Sequence, residues 1–270
     1  MHKIKRLGCW IYTGLLFLTV ISAQAEEMMD ANEIVAKANL TAYYAGEDGR
    51  TEARMLIKDA QGREQKRQFT ILRKDREEGG EQDFLVVFSR PADVRNTVFL
   101  VAKKPGSDDD RWLYLPGLDL VKRISAGDKR TSFVGAHYFY EDVSGRGVEE
   151  DTHQLLDSDG QYYVVENTPL DPSSVEFSRY NAWINKVTFL PEKIEYYDEG
   201  GEVYRRVEVL ASTKIQGYTT VTKSRVSDLR SGGETLLEFR HQAYDLGMEQ
   251  SLFTERSLRK PPREWLRRAK

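Results

Sequence analysis

The sequence is almost without cysteine: among 270 residues only Cys9 is present. A single cysteine cannot form a disulfide within the chain. Its lack of a partner also excludes a zinc site or a redox motif built from paired cysteines. A hydrophobic core must therefore stabilise the protein, and a chain of this length is long enough to build one.

Long apolar runs are also absent, with one exception near the amino terminus. Lys3, Lys5 and Arg6 precede an apolar stretch over residues 7–21, and Ala23-Gln24-Ala25 follows it. The stretch is shorter than the roughly 20 residues that span a bilayer, and this order is typical of a secretory signal peptide. We predict cleavage of residues 1–25. The mature protein, residues 26–270, would then lie in the periplasm without a cysteine.

An excess of positive charge is missing as well. The chain has 40 basic and 43 acidic residues, and removal of the three basic residues of the signal peptide leaves 37 against 43. This balance argues against binding of nucleic acid. Residues 255–270 are the exception, with seven basic and two acidic residues. They predict transient contact with a membrane surface through Trp265, Arg267 and Arg268, the alternative being an ordinary solvated chain end.

Motifs for catalysis and for metal binding are lacking too. No G-x-S-x-G elbow, H-E-x-x-H pair or phosphate-binding glycine loop occurs. His137, Asp151 and His153 lack the spacing of metal ligands, and residues 108–110 lack the glycine and glutamate of a calcium loop. We therefore expect a protein that is not an enzyme and that holds neither a metal nor a cofactor.

One helix is predicted near the start of the mature chain. Asp30 and Glu33 have the spacing of a capping box. Ile34, Val35 and Ala38 then fall on one face at helical spacing. The helix should end near Gly46.

The rest of the chain favours antiparallel strands. Ala53, Met55 and Ile57 alternate with polar residues, and similar runs continue to residue 241. Turns with Asp at the first and Gly at the fourth position recur at residues 59–62, 157–160 and 198–201. Since no strand–helix alternation appears, we predict an α+β, mainly antiparallel β fold in a single domain.

Two runs, residues 84–88 and 98–102, are apolar on both faces, and residues 112–115 follow closely. A strand of this kind must be covered on both sides, so a second sheet or an apolar cavity should face one of them. The candidates for lining such a cavity, or their neighbours that face the other way, are Phe84, Val86, Phe88, Val98, Leu100, Trp112 and Tyr114.

The stretch from Ser132 to Gly147 combines aromatic side chains with glycines. This composition fits a lid that closes over an apolar site, and it equally fits a loop that fills its own core. The candidate lid residues are Phe133, Gly135, Tyr138, Phe139 and Tyr140.

Several segments together resemble the outer-membrane lipoprotein-sorting proteins, a LolA-like family. The matching segments are WLYLP at 112–116, VKRIS at 121–125, SFVG at 132–135, YED at 140–142, AWI at 182–184, LP at 190–191, EYYD at 195–198 and LFT at 252–254 followed by Leu258. The sequence departs from the family at Ala136 and His137, where a small hydroxyl residue and an acid are usual.

This resemblance implies a half-open β-barrel whose helices cover an apolar cavity. It also implies a periplasmic carrier that binds the acyl chains of a lipoprotein or lipid on the way to the outer membrane. An inner-membrane transporter and an outer-membrane acceptor would be its partners. Two alternatives remain open at this point: an adaptor subunit of an inner-membrane lipid transporter, and a hydrolase of acyl chains.

Overall fold

The computed structural model describes residues 29–158 and 160–266, so the predicted signal peptide lies outside the described residues. In this part of the chain thirteen strands form one sheet, accompanied by four α-helices and short 3-10 turns. The helices are α1 (Ala31–Tyr43), α2 (Glu141–Ser144), α3 (Glu255–Arg259) and α4 (Arg263–Leu266). The strands are β1 (Asp48–Lys58), β2 (Glu64–Asp75), β3 (Gln82–Arg90), β4 (Val98–Lys103), β5 (Asp110–Leu115), β6 (Leu120–Ile124), β7 (Asp151–Asp157), β8 (Tyr162–Pro169), β9 (Arg179–Asn185), β10 (Pro191–Tyr197), β11 (Val203–Ile215), β12 (Tyr218–Asp228) and β13 (Gly233–Tyr244).

The sheet consists of two antiparallel meanders, β1 to β6 and β7 to β13, which are joined by the pairing of β1 with β13. Its strand order is β6-β5-β4-β3-β2-β1-β13-β12-β11-β10-β9-β8-β7, and all neighbours are antiparallel. The first and last strands of the chain therefore pair at the centre, while β6 and β7 form two free edges. The predicted fold class, mainly antiparallel β with an open barrel, is confirmed.

Residues 125–150, here called the crossing segment, connect the two edges. Strands β6 and β7 follow each other in the sequence but lie at opposite ends of the sheet, so their connection has to run between the two edges. Phe133 and Tyr140 of this segment pack against Phe99 of β4, with ring centroids 5.4 and 5.1 Å apart. The stretch singled out in the sequence thus fills the core on one face of the sheet.

Strand β3 is buried on both faces. Val86 pairs directly with Phe99 of β4, and both residues belong to the core cluster that contains Phe133. Leu85 pairs with Leu100, and both pack on the opposite face. The same cluster contains residues of the carboxyl-terminal segment, which is defined here as residues 248–266. The face that carries Phe133 is called the inner face below, and the other the outer face. The outer cover is therefore the end of the chain and not a second sheet.

Helix α1 packs on the other half of the sheet. Its buried residues Ala31, Ile34 and Ala38 contact Val165 of β8 and Ile184 of β9. The helix begins as predicted, after Asp30, but it ends at Tyr43. The predicted capping box is wrong, because no side-chain capping bond forms. Asp30 Oδ2 instead accepts a hydrogen bond from Asn32 Nδ2 at 2.9 Å.

The carboxyl-terminal segment lies along the outer face. Phe253 and Leu258 are buried there, and Trp265 and Leu266 are half-buried against the same cluster. The carbonyl oxygen of Trp265 accepts a hydrogen bond of 2.8 Å from Arg50 Nε. Of the residues expected at a membrane surface, Trp265 is therefore packed on the protein, and Arg267 and Arg268 lie outside the described residues.

We expect Leu258→Ala to reduce the free energy of unfolding by about 2–5 kcal/mol, because it leaves a cavity in a fully buried cluster. Urea unfolding followed by circular dichroism measures this change. Leu118→Ala is the matched control, since Leu118 is 73% exposed and its truncation should change stability by less than about 0.5 kcal/mol. Equal effects of the two variants would show that the carboxyl-terminal segment is not part of the folded core.

Candidate functional site

A cavity of about 250 Å³ lies between α1, the crossing segment and the inner face of the sheet. Five strands, β1, β2, β3, β12 and β13, form its floor. The apolar side chains that line it are Met55, Phe69, Ile71, Phe84, Val86, Phe133, Val143, Leu190, Val221, Leu237 and Phe239.

The residues that line the cavity alternate with period two along β1, β2 and β3, but not in β12, which contributes the consecutive residues 219–221, or in β13, where the register changes. Leu237 and Phe239 line the cavity at odd positions, whereas Gln242 and Tyr244 line it at even positions. The pairing of β1 with β13 shifts between Arg50 and Glu52, and His241 has a positive φ of 50°. This irregularity re-aims the end of β13 so that its polar side chains also face the cavity.

The cavity is apolar at one end and polar at the other. Met55 pairs with Leu237 and marks the apolar end. Gly49 pairs with Tyr244 on one side and with Arg73 on the other, and these residues mark the polar end. Thr219, Thr220 and Gln242 add to the polar end, and the nearby lining residue Ala42 is exposed at the end of α1. We therefore place the mouth of the cavity at the polar end.

Arg73 ties the end of α1 to the sheet. Its Nη2 donates to the carbonyl oxygens of Ala45 and Gly46, the latter at 2.8 Å, and its Nη1 donates to Asp75. Burial raises the pKa of Asp75 even though the charge of Arg73 opposes the change. Because these contacts occupy the guanidinium group, its role is to position the helix end.

The seven residues that the sequence predicted as cavity lining fall on both faces of the sheet. Phe84 and Val86 line the cavity, and Phe88 is buried in the same inner cluster. The structure places the other four on the outer face, next to the carboxyl-terminal segment: Val98, Leu100, Trp112 and Tyr114. The reason is register, because the direct partner of Val86 is Phe99, and residues paired across strands share a face.

The proposed lid residues divide in a similar way. Phe133 and Tyr138 line the cavity, and Tyr140 is buried behind them. Phe139 points elsewhere, with its ring 5.0 Å from the guanidinium carbon of Arg130 and 4.3 Å from that of Arg205. Gly135 has a φ of +83°, which favours glycine, and lies on the same far side. The crossing segment therefore both fills core space and forms one wall of the cavity.

Sequence reasoning missed several lining residues, above all Ile71, Leu237 and Phe239. They lie on strands whose other face is partly polar, so no doubly apolar run drew attention to them. The period-two alternation of these strands was the available signal. It shows that one face is apolar without showing what covers that face.

A buried ionic cluster joins separate parts of the crossing segment to one another. Glu141 is 2% exposed, and its carboxylate lies 2.5 Å from Arg130 Nη1, 3.2 Å from Lys129 Nζ and 3.5 Å from Arg146 Nη1. Burial raises the pKa of Glu141, but these three positive charges outweigh that effect and lower the pKa to about 2. The carboxylate is thus held ionised in the interior.

A second ion pair fixes the same segment to β11. Arg205 Nη2 donates to Asp142 Oδ2 at 2.5 Å, and the guanidinium group also stacks on Phe139. His137 Nδ1 lies 2.8 Å from Thr235 Oγ1 of β13. The histidine that departs from the family pattern therefore has a structural partner in the neighbouring strand.

The described residues contain no group of three or more His, Cys, Asp or Glu side chains placed to hold a metal ion. His153, weighed above as a ligand, has its Nδ1 2.7 Å from Asn167 Oδ1 and its Nε2 2.9 Å from the carbonyl oxygen of Val148. Among the helices of the described part, none has the length and apolar character needed to cross a membrane.

Comparison with known structures identifies the class of protein. A domain from Vibrio parahaemolyticus, described as a candidate outer membrane lipoprotein-sorting protein, is 27% identical with a TM-score of 0.77, over 85% of this chain and 98% of that one. A LolA superfamily protein from Nitrosomonas europaea shares the fold at 21% identity and a TM-score of 0.65, over 84% of this chain and 99% of that one. The open sheet with its covered cavity is thus LolA-like.

The family follows from two further matches. A DUF1329 family protein from Desulfovibrio piger is 30% identical with a TM-score of 0.77, over 84% of this chain and 97% of that one. A family model with the description "Uncharacterized protein" matches residues 80–260. No curated protein matches the chain. The protein belongs to the DUF1329 family, and the relationship to outer-membrane lipoprotein-sorting proteins predicted from its motifs is confirmed.

We expect Glu141→Gln to lower the free energy of unfolding at pH 7 by about 3 kcal/mol, because a pKa lowered from 4.5 to about 2 stabilises the folded state by about 1.4 kcal/mol per unit. The contribution is complete above pH 4.5 and is lost as the pH falls towards 2. The difference between wild type and variant should therefore shrink across this window, as measured by urea unfolding at each pH.

Glu255→Gln is the control for this titration, since Glu255 is exposed on α3 and its neutralisation should change stability by less than about 0.5 kcal/mol. A difference between wild type and Glu141→Gln that stays constant from neutral to acid pH would contradict the assignment of this carboxylate as ionised and stabilising.

Proposed function

We propose that this protein is a periplasmic carrier that binds the acyl chains of a lipoprotein or lipid and moves them towards the outer membrane without catalysing a reaction. The observation that supports it is the apolar cavity between α1, the crossing segment and the inner face of the sheet. The description of the Vibrio relative as a lipoprotein-sorting domain points the same way.

The energetics of transport require such a cavity. Moving an acyl chain of about fourteen methylenes from a membrane into water costs roughly 11 kcal/mol, at about 0.8 kcal/mol for each methylene. Phenylalanine, leucine, isoleucine and valine side chains in the lining can offset this cost by removing the chain from water. The polar mouth leaves a place where a head group or peptide stays hydrated.

The size of the cavity implies movement on binding. Its volume of about 250 Å³ exceeds the roughly 150 Å³ of an apolar protein cavity that binds benzene. It falls below the roughly 300–1,000 Å³ of typical pockets for larger ligands. A complete acyl chain therefore needs more room than this conformation provides, and one wall has to move outwards.

Helix α1 is the wall that we propose moves. The crossing segment is tied to β7 and β11 by the ion pairs of Arg146 with Asp151 and of Asp142 with Arg205. Helix α1 packs on the sheet through apolar side chains, mainly those of Ala31, Ile34 and Ala38. The carboxyl-terminal end of the helix lines the cavity with Thr41, Ala42 and Tyr43, and Gln82 Nε2 donates to the carbonyl oxygen of Tyr43 at 2.9 Å. Outward movement of α1 would therefore break this hydrogen bond and widen the cavity while the crossing segment stays in place.

Hydrogen exchange distinguishes the two walls. We expect amides of α1 between residues 34 and 40 to become less protected when a fatty acid is added, because the ligand moves the helix away from its contacts with the sheet. Amides of residues 139–145 should be protected to the same degree with and without ligand. Protection that changes in residues 139–145 and not in α1 would instead make the crossing segment the moving lid.

We expect Ile71→Trp to weaken binding of a fluorescent fatty acid at least ten-fold, because the indole occupies part of the cavity. Glu238→Trp is the matched control, since it adds the same side chain to the outer face of β13, another floor strand, and should leave binding unchanged. Fluorescence titration of both purified variants measures the effect, with circular dichroism to confirm that they are folded. Unchanged binding by folded Ile71→Trp would refute the cavity as the acyl site.

A further inference from the structure

Strand β11 extends beyond its neighbour β10. The pairing of the two strands runs from Tyr197 with Val203 to Lys193 with Glu208. Strand β11 continues to Ile215, and no strand in the described part of the chain pairs with residues 209–215 on that side. These residues, here called the β11 overhang, remain paired with β12 on their other side.

The overhang has a local cause in the sequence. Strand β10 begins at Pro191, which has no N–H group to donate to a ladder. The pairing of β11 with β12 shifts between Val209 and Ala211 and again between Ala211 and Ser212. Bulges of this kind bend a strand, and here they lie immediately after the last residue that pairs with β10.

The overhang carries little of the charge that usually protects a free strand edge. Residues 210–214 are all exposed, yet Lys214 is the single charged residue in the sequence VLASTKI of the overhang. Edge strand β6 differs, because its Lys122 and Arg123 are both exposed, whereas β7 has one exposed charge, Asp157, since Asp151 is buried and paired with Arg146. Charged side chains normally prevent an edge from pairing with another chain. The overhang is therefore an exposed edge with a single charge to oppose the addition of another strand.

The overhang also lies beside the mouth of the cavity. Its residues Ser212, Thr213 and Lys214 pair directly with Val221, Thr220 and Thr219 of β12. All three of these β12 residues line the cavity. Neighbouring strands are about 4.8 Å apart, so a strand added to the overhang would run about 10 Å from the cavity wall.

We propose that the β11 overhang binds an extended peptide by strand addition, and that this peptide is the segment that follows the acylated residue of a lipoprotein. The inference rests on the proposed function, because it requires the acyl chain to occupy the cavity. Main-chain hydrogen bonds would hold about five to seven residues of the peptide with little dependence on their side chains. The preferred cargo would therefore be an acylated peptide and not a free lipid.

Two synthetic lipopeptides test this directly. Both carry the same acyl chain and the same uncharged six-residue peptide, but the second is N-methylated at every amide, which removes the donors whichever edge of the peptide faces the overhang. Each lost hydrogen bond weakens binding about two- to ten-fold. Because about three of these donors face the overhang, we expect N-methylation to weaken binding by at least ten-fold, measured by calorimetry with the purified mature protein. A fatty acid of equal chain length is the reference ligand.

Proline substitutions in the overhang test the protein side. Because successive amides of a strand point to opposite edges, one of Ser212→Pro and Thr213→Pro removes a donor from the free edge and the other from the pairing with β12. The variant that keeps wild-type stability should bind the unmodified lipopeptide more weakly and the fatty acid equally well. If both variants unfold, the N-methylated lipopeptide alone decides the question.

The outcomes separate the two proposals. Loss of binding for every acyl ligand, the fatty acid included, overturns the proposed carrier function. Binding of the fatty acid together with equal binding of the two lipopeptides leaves the carrier function in place and overturns strand addition at the overhang. Weaker binding of the N-methylated lipopeptide alone supports both.

Discussion

The architecture depends on one connection, because the strands at the two free edges of the sheet are consecutive in the chain. The crossing segment that joins β6 to β7 contributes Phe133, Ala136 and Tyr140 to the core of the inner face. Within this segment Glu141 pairs with three cations in the interior, and the segment is tied to β7 and β11 through Arg146–Asp151 and Asp142–Arg205. Such a cluster is costly to desolvate and is retained only when its members remain paired, so it defines one conformation for the segment that forms a wall of the cavity.

The two faces of the sheet have separate roles that follow from this arrangement. The outer face of β3 and β4 is sealed by the end of the chain, so the apolar residues there stabilise the fold without contacting the cavity. The inner face is only partly filled, because the crossing segment covers one half and α1 the other. The cavity is the space between these two covers. It is therefore a consequence of how two unrelated segments meet over one sheet.

Much of the fold could be predicted from local patterns. Alternation in β1 and β2 and the Asp–Gly turns predicted antiparallel strands, and the backbone bond from Gly62 N to the carbonyl oxygen of Asp59 closes one of these turns at 2.9 Å. The doubly apolar runs predicted burial of β3 and β4 on both faces, as observed. The choice of face was not predictable for Leu100 or Trp112, because alternation defines two faces without stating which segment covers each.

The sequence by itself determined the class of fold, the family and the positions that must be buried, since periodicity, turn residues and motifs are properties of neighbouring residues. The tertiary structure alone decided which buried positions surround a space. Gly49 pairs with Tyr244, 195 positions further along the chain, and Tyr138 reaches Ser224 of the floor strand β12, 86 positions away. Such contacts arise only when β1 pairs with β13 and the crossing segment lies over the sheet, so a pattern among neighbouring residues cannot predict them.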